Sequence, residues 1–377
     1  MTFYRKRFKV IDIIRYIGKD LWRTIENLKD VINNMNSYKH ELCRITKIFL
    51  DSEDKYDELF HAADAYYKLL LKASGLEPEK SSNREAIYLP TGKAIGSVWA
   101  ALCIKEFMRT KRFIAGIYKA VKTAQERFPD TRLHVLYAGT GPFASLILPL
   151  TAALSSSEIC FTLLEINPNS IESLMEIIKT FEIDNYVKEI VCCDATEYKS
   201  DARFPIHIII SETMLNALRR EPQVAITLNL APQLVDQGIF IPENIKVEAG
   251  LLNNKRFQER LNGINLSVED HYFMIKKIFQ LDKDTYKLNT EYKQKNNNCY
   301  IFPKERIELP LDISNDYNQL CLFTTIQVFE DEYLTHWQCS LTLPQKILNL
   351  LQQEKRVAQI DFEYIISNNP GFKHTVY

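Results

Sequence analysis

Glu212 and Glu221 stand nine positions apart in Ser211-Glu212-Thr213-Met214-Leu215-Asn216-Ala217-Leu218-Arg219-Arg220-Glu221, directly after the apolar run Ile206-His207-Ile208-Ile209-Ile210. A short apolar run that ends in a polar turn reads as a buried strand delivering a loop to the top of a sheet. Two carboxylates held there can grip a flat cation from two sides. The natural cation of that shape is a guanidinium, which stays charged at any working pH and takes bidentate partners. The plainer alternative has Glu212 ending a strand and Glu221 decorating a following helix, both in water, as charged residues at loop edges usually are. Alone, the pair favours the plainer reading; its company reverses the balance.

That company lies upstream. Gly139 and Gly141 occupy a strand-to-helix turn, where glycine lets backbone approach a ligand and leaves N–H groups free at a helix start. Glu165, at the end of the next apolar run, can accept both hydroxyls of a ribose. Asp194 closes a third run, where it can meet an adenine edge. A polar cap for Glu165 and an Asx turn for Asp194 are the structural alternatives. Taken in order, a glycine turn followed by two acids favours an adenosine-containing cofactor.

The elements that position these residues follow from periodicity. Residues 8 to 73 carry apolar positions at helical spacing: Val10, Ile13, Ile14 and Ile17 in one stripe, and Leu59, Ala62, Ala63, Tyr66, Leu69 and Leu70 in another. Gly75 to Arg84 reads as a loop. Helices are predicted from about Ile95 to Arg109 and from Phe113 to Phe128. Strands then alternate with helices: Leu133–Ala138, an apolar helix through Leu154, Ile159–Glu165, a helix over Asn169–Phe181, Val187–Cys193 and Ile206–Ile210. Such alternation means an α/β fold with a parallel sheet, whose ligands gather at the strands' carboxyl ends. After Gly238 the pattern becomes β-rich, with strands expected at Ile245–Ala249, Gln319–Val328, Thr335–Leu343 and Val357–Ile366, and a loop at Lys293–Asn298.

Bulk composition sets outer bounds. A chain of 377 residues with 46% hydrophobic and 25% charged content is a folded protein large enough for two or more domains. A formal net charge of -1 gives no general attraction to nucleic acid, so none is expected as a partner. Eight cysteines occur without a CxxC pair, which favours buried reduced thiols over zinc ligands or disulfides. Neither a secretory signal nor a transmembrane run is expected, which makes a soluble cytoplasmic protein the default and a membrane partner unexpected.

Against this background the chain resembles a class I S-adenosylmethionine methyltransferase, and within that class the protein arginine methyltransferases, from about residue 100 onward. Gly139-Thr140-Gly141-Pro142-Phe143 resembles the family's methionine-cofactor loop, and Leu164-Glu165-Ile166-Asn167-Pro168-Asn169 its ribose motif. Glu106-Phe107-Met108-Arg109-Thr110-Lys111-Arg112-Phe113 resembles its acidic-x-x-Arg-Thr-x-x-aromatic helix. Ser211-Glu212 through Glu221 has the spacing of its double-glutamate loop, and Thr335-His336-Trp337 matches its Thr-His-Trp loop.

The resemblance implies a Rossmann-like domain over residues 85–242, after an N-terminal helical segment (1–84) and before a C-terminal β-barrel-like domain (243–377). It implies S-adenosylmethionine as cofactor, S-adenosylhomocysteine as product, and an arginine in a protein or peptide as methyl acceptor. Arg109 would bind the cofactor's carboxylate, with Gly139, Gly141, Glu165, Asp194 and Ala195 completing the cofactor site. Glu212 and Glu221 would be catalytic, and His336 would pair with Glu106 and take up a proton. Glu106, Met214 and Trp337 would support the substrate. A homodimer is implied, its arm within Leu251–His271 as a helix or a solvated loop.

The departures are specific. The family's Tyr-Phe-x-x-Tyr helix is not evident, Tyr88-Leu89-Pro90 being the nearest stretch, so the cofactor lid is expected from elsewhere, such as the N-terminal helices. Tyr137 replaces an acid, Phe143 a third glycine, Thr213 a Trp, and Cys103 a product-determining Met or Phe. Free arginine or another small guanidino compound therefore stays open as acceptor, as does a cofactor-binding scaffold without catalysis.

Overall fold

A computed structural model describes residues 37–263, 271–291, 293–295, 299–310 and 312–377. The helical stripe expected at Val10, Ile13, Ile14 and Ile17 lies outside the described residues. Helix α1 covers 37–49 and α2 covers Tyr56–Ser74, ending at Gly75 in the left-handed conformation. The second stripe is the core face of α2: Leu59, Ala62, Ala63, Tyr66 and Leu70 are buried. The Tyr66 hydroxyl donates to the Ser145 carbonyl at 2.8 Å, so this helix braces the loop that follows the glycine turn.

The stretch 75–86 is a loop with one 3₁₀ turn at Ser81–Asn83. A hairpin not foreseen from periodicity comes next, β1 (Ile87–Leu89) against β2 (Gly92–Ala94). Helix α3 (Ser97–Leu102) and a 3₁₀ turn (Cys103–Lys105) lead to α4 (Phe107–Arg127). The predicted break at 110–112 therefore falls earlier, at Glu106, whose φ and ψ of -77° and 79° are not helical. The Thr110 hydroxyl donates to the Ile104 carbonyl at 2.8 Å and satisfies an acceptor that the break exposes. Arg109 thus sits in the first turn of α4.

Five parallel strands form the central sheet: β3 (Leu133–Ala138), β4 (Ile159–Glu165), β5 (Val187–Cys192), β6 (Ile206–Ser211) and β7 (Leu234–Ile241), in the order β5-β4-β3-β6-β7. Every residue of β3, β4 and β6 is buried, as the continuous apolar runs require. Helices α5 (Pro168–Phe181) and α6 (Gln223–Leu230) flank the sheet. The α-helix expected between Pro142 and Leu154 does not form. Ala144 has φ 44° and Pro149 offers no N–H, so the segment runs as turns into a 3₁₀ turn at Leu148–Ala152. β3 lies between β4 and β6, so the strand order reverses there. The crevice at that reversal receives Gly139 from one strand and Glu212 from the other.

The remainder is antiparallel β. One sheet has the order β14-β13-β8-β9, with β15 against β13: β8 is Asn244–Asn253, β9 Tyr272–Asp282, β13 Tyr317–Phe329, β14 Glu332–Leu334 and β15 Gln345–Asn349. The second has the order β10-β11-β16-β12, with β17 on β16: β10 is Lys293–Lys295, β11 Cys299–Ile301, β12 Glu305–Glu308, β16 Gln359–Ile366 and β17 Gly371–Val376. Phe279 of the first sheet stacks on Tyr364 of the second at 5.0 Å between centroids. Lys293–Lys295 is a strand and not the expected loop. Thr335–Leu343 is a loop with a 3₁₀ turn at Ser340–Thr342 and not the expected strand, because Trp337 takes φ 64° and interrupts the extended chain. Helix α7 (Asn254–Leu261) lies within the described part of the proposed arm, after the end of β8.

Among the described residues, no helix is long and apolar enough to cross a membrane. Cys160, Cys321 and Cys339 are buried as expected, whereas Cys192 is exposed.

Candidate active site

The turn after β3 is shaped by its glycines. Gly139 has φ 74°, and a Cβ there would lie 2.4 Å from Thr213 Cγ2, so only glycine lets the double-glutamate loop close over the turn. The Gly141 N–H donates to Glu165 Oε2 at 2.7 Å and the Asn167 N–H to Oε1 at 2.8 Å. Burial pushes the Glu165 carboxyl up, and these backbone donors hold it down. Asp194 forms the Asx turn, its Oδ1 accepting from the Thr196 N–H at 2.8 Å, while Ala195 beside it is buried.

The double-glutamate loop is held from several directions. Its Leu218 carbonyl accepts from the Tyr364 hydroxyl at 2.7 Å, and its Ala217 N–H donates to Thr324 Oγ1 at 2.8 Å. Asn216 Nδ2 donates to the Leu343 carbonyl at 2.7 Å, and the Arg220 N–H to the Pro370 carbonyl at 2.8 Å. Ala217, Leu218 and Arg220 all have positive φ, of 54°, 54° and 67°. Each such residue costs about 1–3 kcal/mol and persists only where its surroundings over-determine it. The antiparallel β region supplies that determination.

This strained loop brings two acids to the cavity. Glu212 Oε2 accepts from Arg109 Nη2 at 2.5 Å, whereas Oε1 is buried with no hydrogen-bond partner. Burial pushes the Glu212 carboxyl up, opposed by Arg109. Glu221 is 6% exposed, and among the described residues no donor reaches its carboxylate. Its pKa is pushed up to about 7, first by burial and then by Glu212, with Arg109, Lys93 and Arg219 opposing. Two desolvated carboxylates with unused acceptor capacity are a costly arrangement that a bound cation would relieve.

Behind them runs a polar chain. Arg109 Nη1 donates to Glu106 Oε2 at 2.8 Å, and Glu106 is gripped by the Ser340 N–H at 2.7 Å and the Ser340 hydroxyl at 2.9 Å. The expected His336–Glu106 pair is therefore not formed. Because the loop turns at Trp337, it carries Ser340 to Glu106 and leaves His336 against Tyr272 and Phe323, its Nε2 3.5 Å from Thr325 Oγ1. Trp337 stacks on Phe257 of α7 at 5.6 Å and is not part of the cavity wall, contrary to its expected support of the substrate. Ser340 lies 234 positions from Glu106, and no local pattern announces it.

These groups open onto one cavity of about 330 Å³, at the lower end of the range for small-molecule sites. Gly139, Gly141, Glu165, Asp194 and Ala195 line one part, and Glu106, Arg109, Glu212, Met214 and Glu221 another. Leu89, Lys93 and Trp99, from the hairpin and α3, form the cover, with no residue of α1 or α2 among the lining. The expected lid from the N-terminal helices is thus corrected for the described residues. Those helices pack beneath. Cys103 also lines the cavity as a neutral thiol, pushed up to about 11 by burial.

No protein-family model matches the chain, and no curated protein matches it. Among solved structures it is similar to a Trypanosoma brucei PRMT1 enzyme–prozyme heterotetrameric complex with AdoHcy, at 15% identity and a TM-score of 0.46, over 74% of this chain and 92% of that one. At that level of likeness the functional reading rests on this chain's own residues.

Proposed function

We propose that this protein is an S-adenosylmethionine-dependent N-methyltransferase acting on the guanidino group of an arginine in a protein or peptide. One observation carries this reading: the unpartnered, buried Oε1 of Glu212 lines the same cavity as the buried Glu221. A guanidinium offers five donors in a plane and matches two carboxylates better than any other biological cation.

The residues also fit the cofactor. Glu165 lines the cavity as an acceptor for ribose hydroxyls, Asp194 and Ala195 line the same part of the cavity for the adenine end, and Arg109 adds a cation for a carboxylate. When bound, S-adenosylmethionine supplies a sulfonium methyl group open to attack by a nitrogen lone pair. Glu212 and Glu221 bind the guanidinium and draw its positive charge toward the nitrogens they touch. The remaining nitrogen then regains lone-pair character and is oriented for attack. Arg109, anchored through Glu106 to Ser340, fixes the Glu212 carboxylate in that task. Glu221, poised near neutrality, replaces His336 as the group that takes the departing proton.

The test is transfer of labelled methyl to arginine peptides, free arginine and a lysate, with Glu212→Gln as control. Label on a guanidino nitrogen, lost in the variant, supports the reading. Cofactor binding without transfer to any acceptor would leave a non-catalytic scaffold.

A further inference from the structure

Acids dominate the cavity, yet one cation on its wall lacks an acid to pair with. Arg109 is already paired with Glu106 and Glu212. Lys93, half-buried on the cover, makes no ion pair or side-chain hydrogen bond among the described residues. Its backbone is fixed. The Lys93 N–H donates to the Arg220 carbonyl at 2.9 Å, and a Cβ on Gly92 would lie 2.8 Å from that same oxygen, so hairpin and double-glutamate loop touch backbone to backbone. Arg219 and Arg220 flank Glu221 on the loop side, and among the described residues neither is bridged to an acid. Lys93 and Arg219 thus both place positive charge near Glu221. A strongly cationic peptide would meet repulsion there.

Resting on the guanidinium-methylation reading, we propose that the acceptor carries a carboxylate on the same short chain as its guanidinium, and that Lys93 is the residue that selects for it. The guanidinium enters between Glu212 and Glu221, and the carboxylate remains at the rim against Lys93, with Arg219 adding to the field. The field of Lys93 at Glu221 supports this placement. Two sources share the chemistry: a free guanidino acid, or an arginine beside an acidic residue or chain terminus in a peptide.

The experiment compares kcat/KM for labelled-methyl transfer to arginine, to agmatine (the same chain without the carboxylate), and to matched peptides with Asp or Asn beside one arginine. The carboxylate-bearing member of each pair should be favoured by about tenfold or more, the size of one charge-assisted contact. Lys93→Met should bring the ratio to within about twofold, and Lys93→Arg should retain it. Faster labelling of arginine, or of the Asp peptide, identifies the source. Equal use of both members in each of the two pairs, or an unchanged ratio in the methionine variant, overturns the selection by Lys93 and leaves guanidinium methylation standing. Label on none of the acceptors overturns both.

Discussion

Glu221 gives the sharpest handle on the mechanism. Its pKa, pushed up to about 7 by burial and by Glu212, places its ionisation in the working range of most assays. Only the ionised form attracts a guanidinium. About a tenth of the protein carries that form at pH 6, and about nine-tenths at pH 8. We expect kcat/KM for an arginine acceptor to rise about tenfold across that interval and then level off. Glu221→Gln should abolish the rise and lower turnover by roughly a hundredfold, as removal of a key electrostatic group does, while leaving cofactor affinity largely intact. The unliganded protein gives an independent reading. The folded carboxyl titrates above its ordinary 4.5, so ionising it opposes folding. Stability is fully present below that ordinary value, and up to ~3 kcal/mol is lost as pH climbs from there through about 7. In a thermal melt series, Tm should fall over this window in the wild type and fall less in the Gln variant. A kcat/KM profile flat between about pH 6 and 8 would refute a near-neutral Glu221. So would a Tm trend that the substitution leaves untouched.

The remaining predictions address the parts that hold the two acids. Ser340→Ala deletes a hydroxyl donor to Glu106 and should lower kcat/KM about tenfold, in line with ~1.5 kcal/mol for a hydrogen bond to a charged group; His336→Ala should stay within about threefold. The opposite ranking in steady-state assays would restore the histidine to the mechanism. Gly139→Ala, with φ 74° and a 2.4 Å approach to Thr213, should abolish cofactor binding by calorimetry, and full retention would mean the turn is not the cofactor's seat. Glu332→Ala removes an acid shared by Arg112 and Lys119, at 3.0 Å and 2.7 Å, while Asp54 and Asp331 still pair with them. It should cost about 1–3 kcal/mol in denaturant melts, and an unchanged midpoint would show that this link between α4 and β14 contributes nothing.

How much of this is legible in the chain depends on the range of the contact. The parallel strands show in the apolar runs, because a strand covered on both faces has no polar register to hide in. Glu165 and Glu212 are legible because each lies at or just beyond the end of such a run, and a strand's carboxyl end delivers its next residues to the crevice, whereas Glu221 is legible only through its nine-residue spacing from Glu212. The segment after Pro142 misleads because its apolar content mimics a helix while Ala144 and Pro149 deny it the geometry. The loop after β14 misleads in the same way: one residue, Trp337 at φ 64°, converts an alternating pattern into a turn. That turn decides which side chain of the antiparallel β region meets Glu106, and spacing alone cannot distinguish Ser340 from His336.

The tie between the parallel sheet and the antiparallel β region arises from the same geometry. Glu212 is oriented by Arg109, Arg109 by Glu106, and Glu106 by Ser340, while the backbone that carries both glutamates hangs from Thr324, Leu343, Tyr364 and Pro370. None of those last anchors belongs to the parallel sheet. The positive φ values at Ala217, Leu218 and Arg220 have no local remedy, since none of the three is glycine. The parallel sheet without the antiparallel β region would therefore keep its glycine turn and Glu165. It would relax the loop, let Glu212 and Glu221 move toward water, and lose the raised pKa that marks them as a pair. The glycine turn and Glu165 are built on one parallel sheet, whereas the Glu212–Glu221 loop takes its shape from anchors in the antiparallel β region.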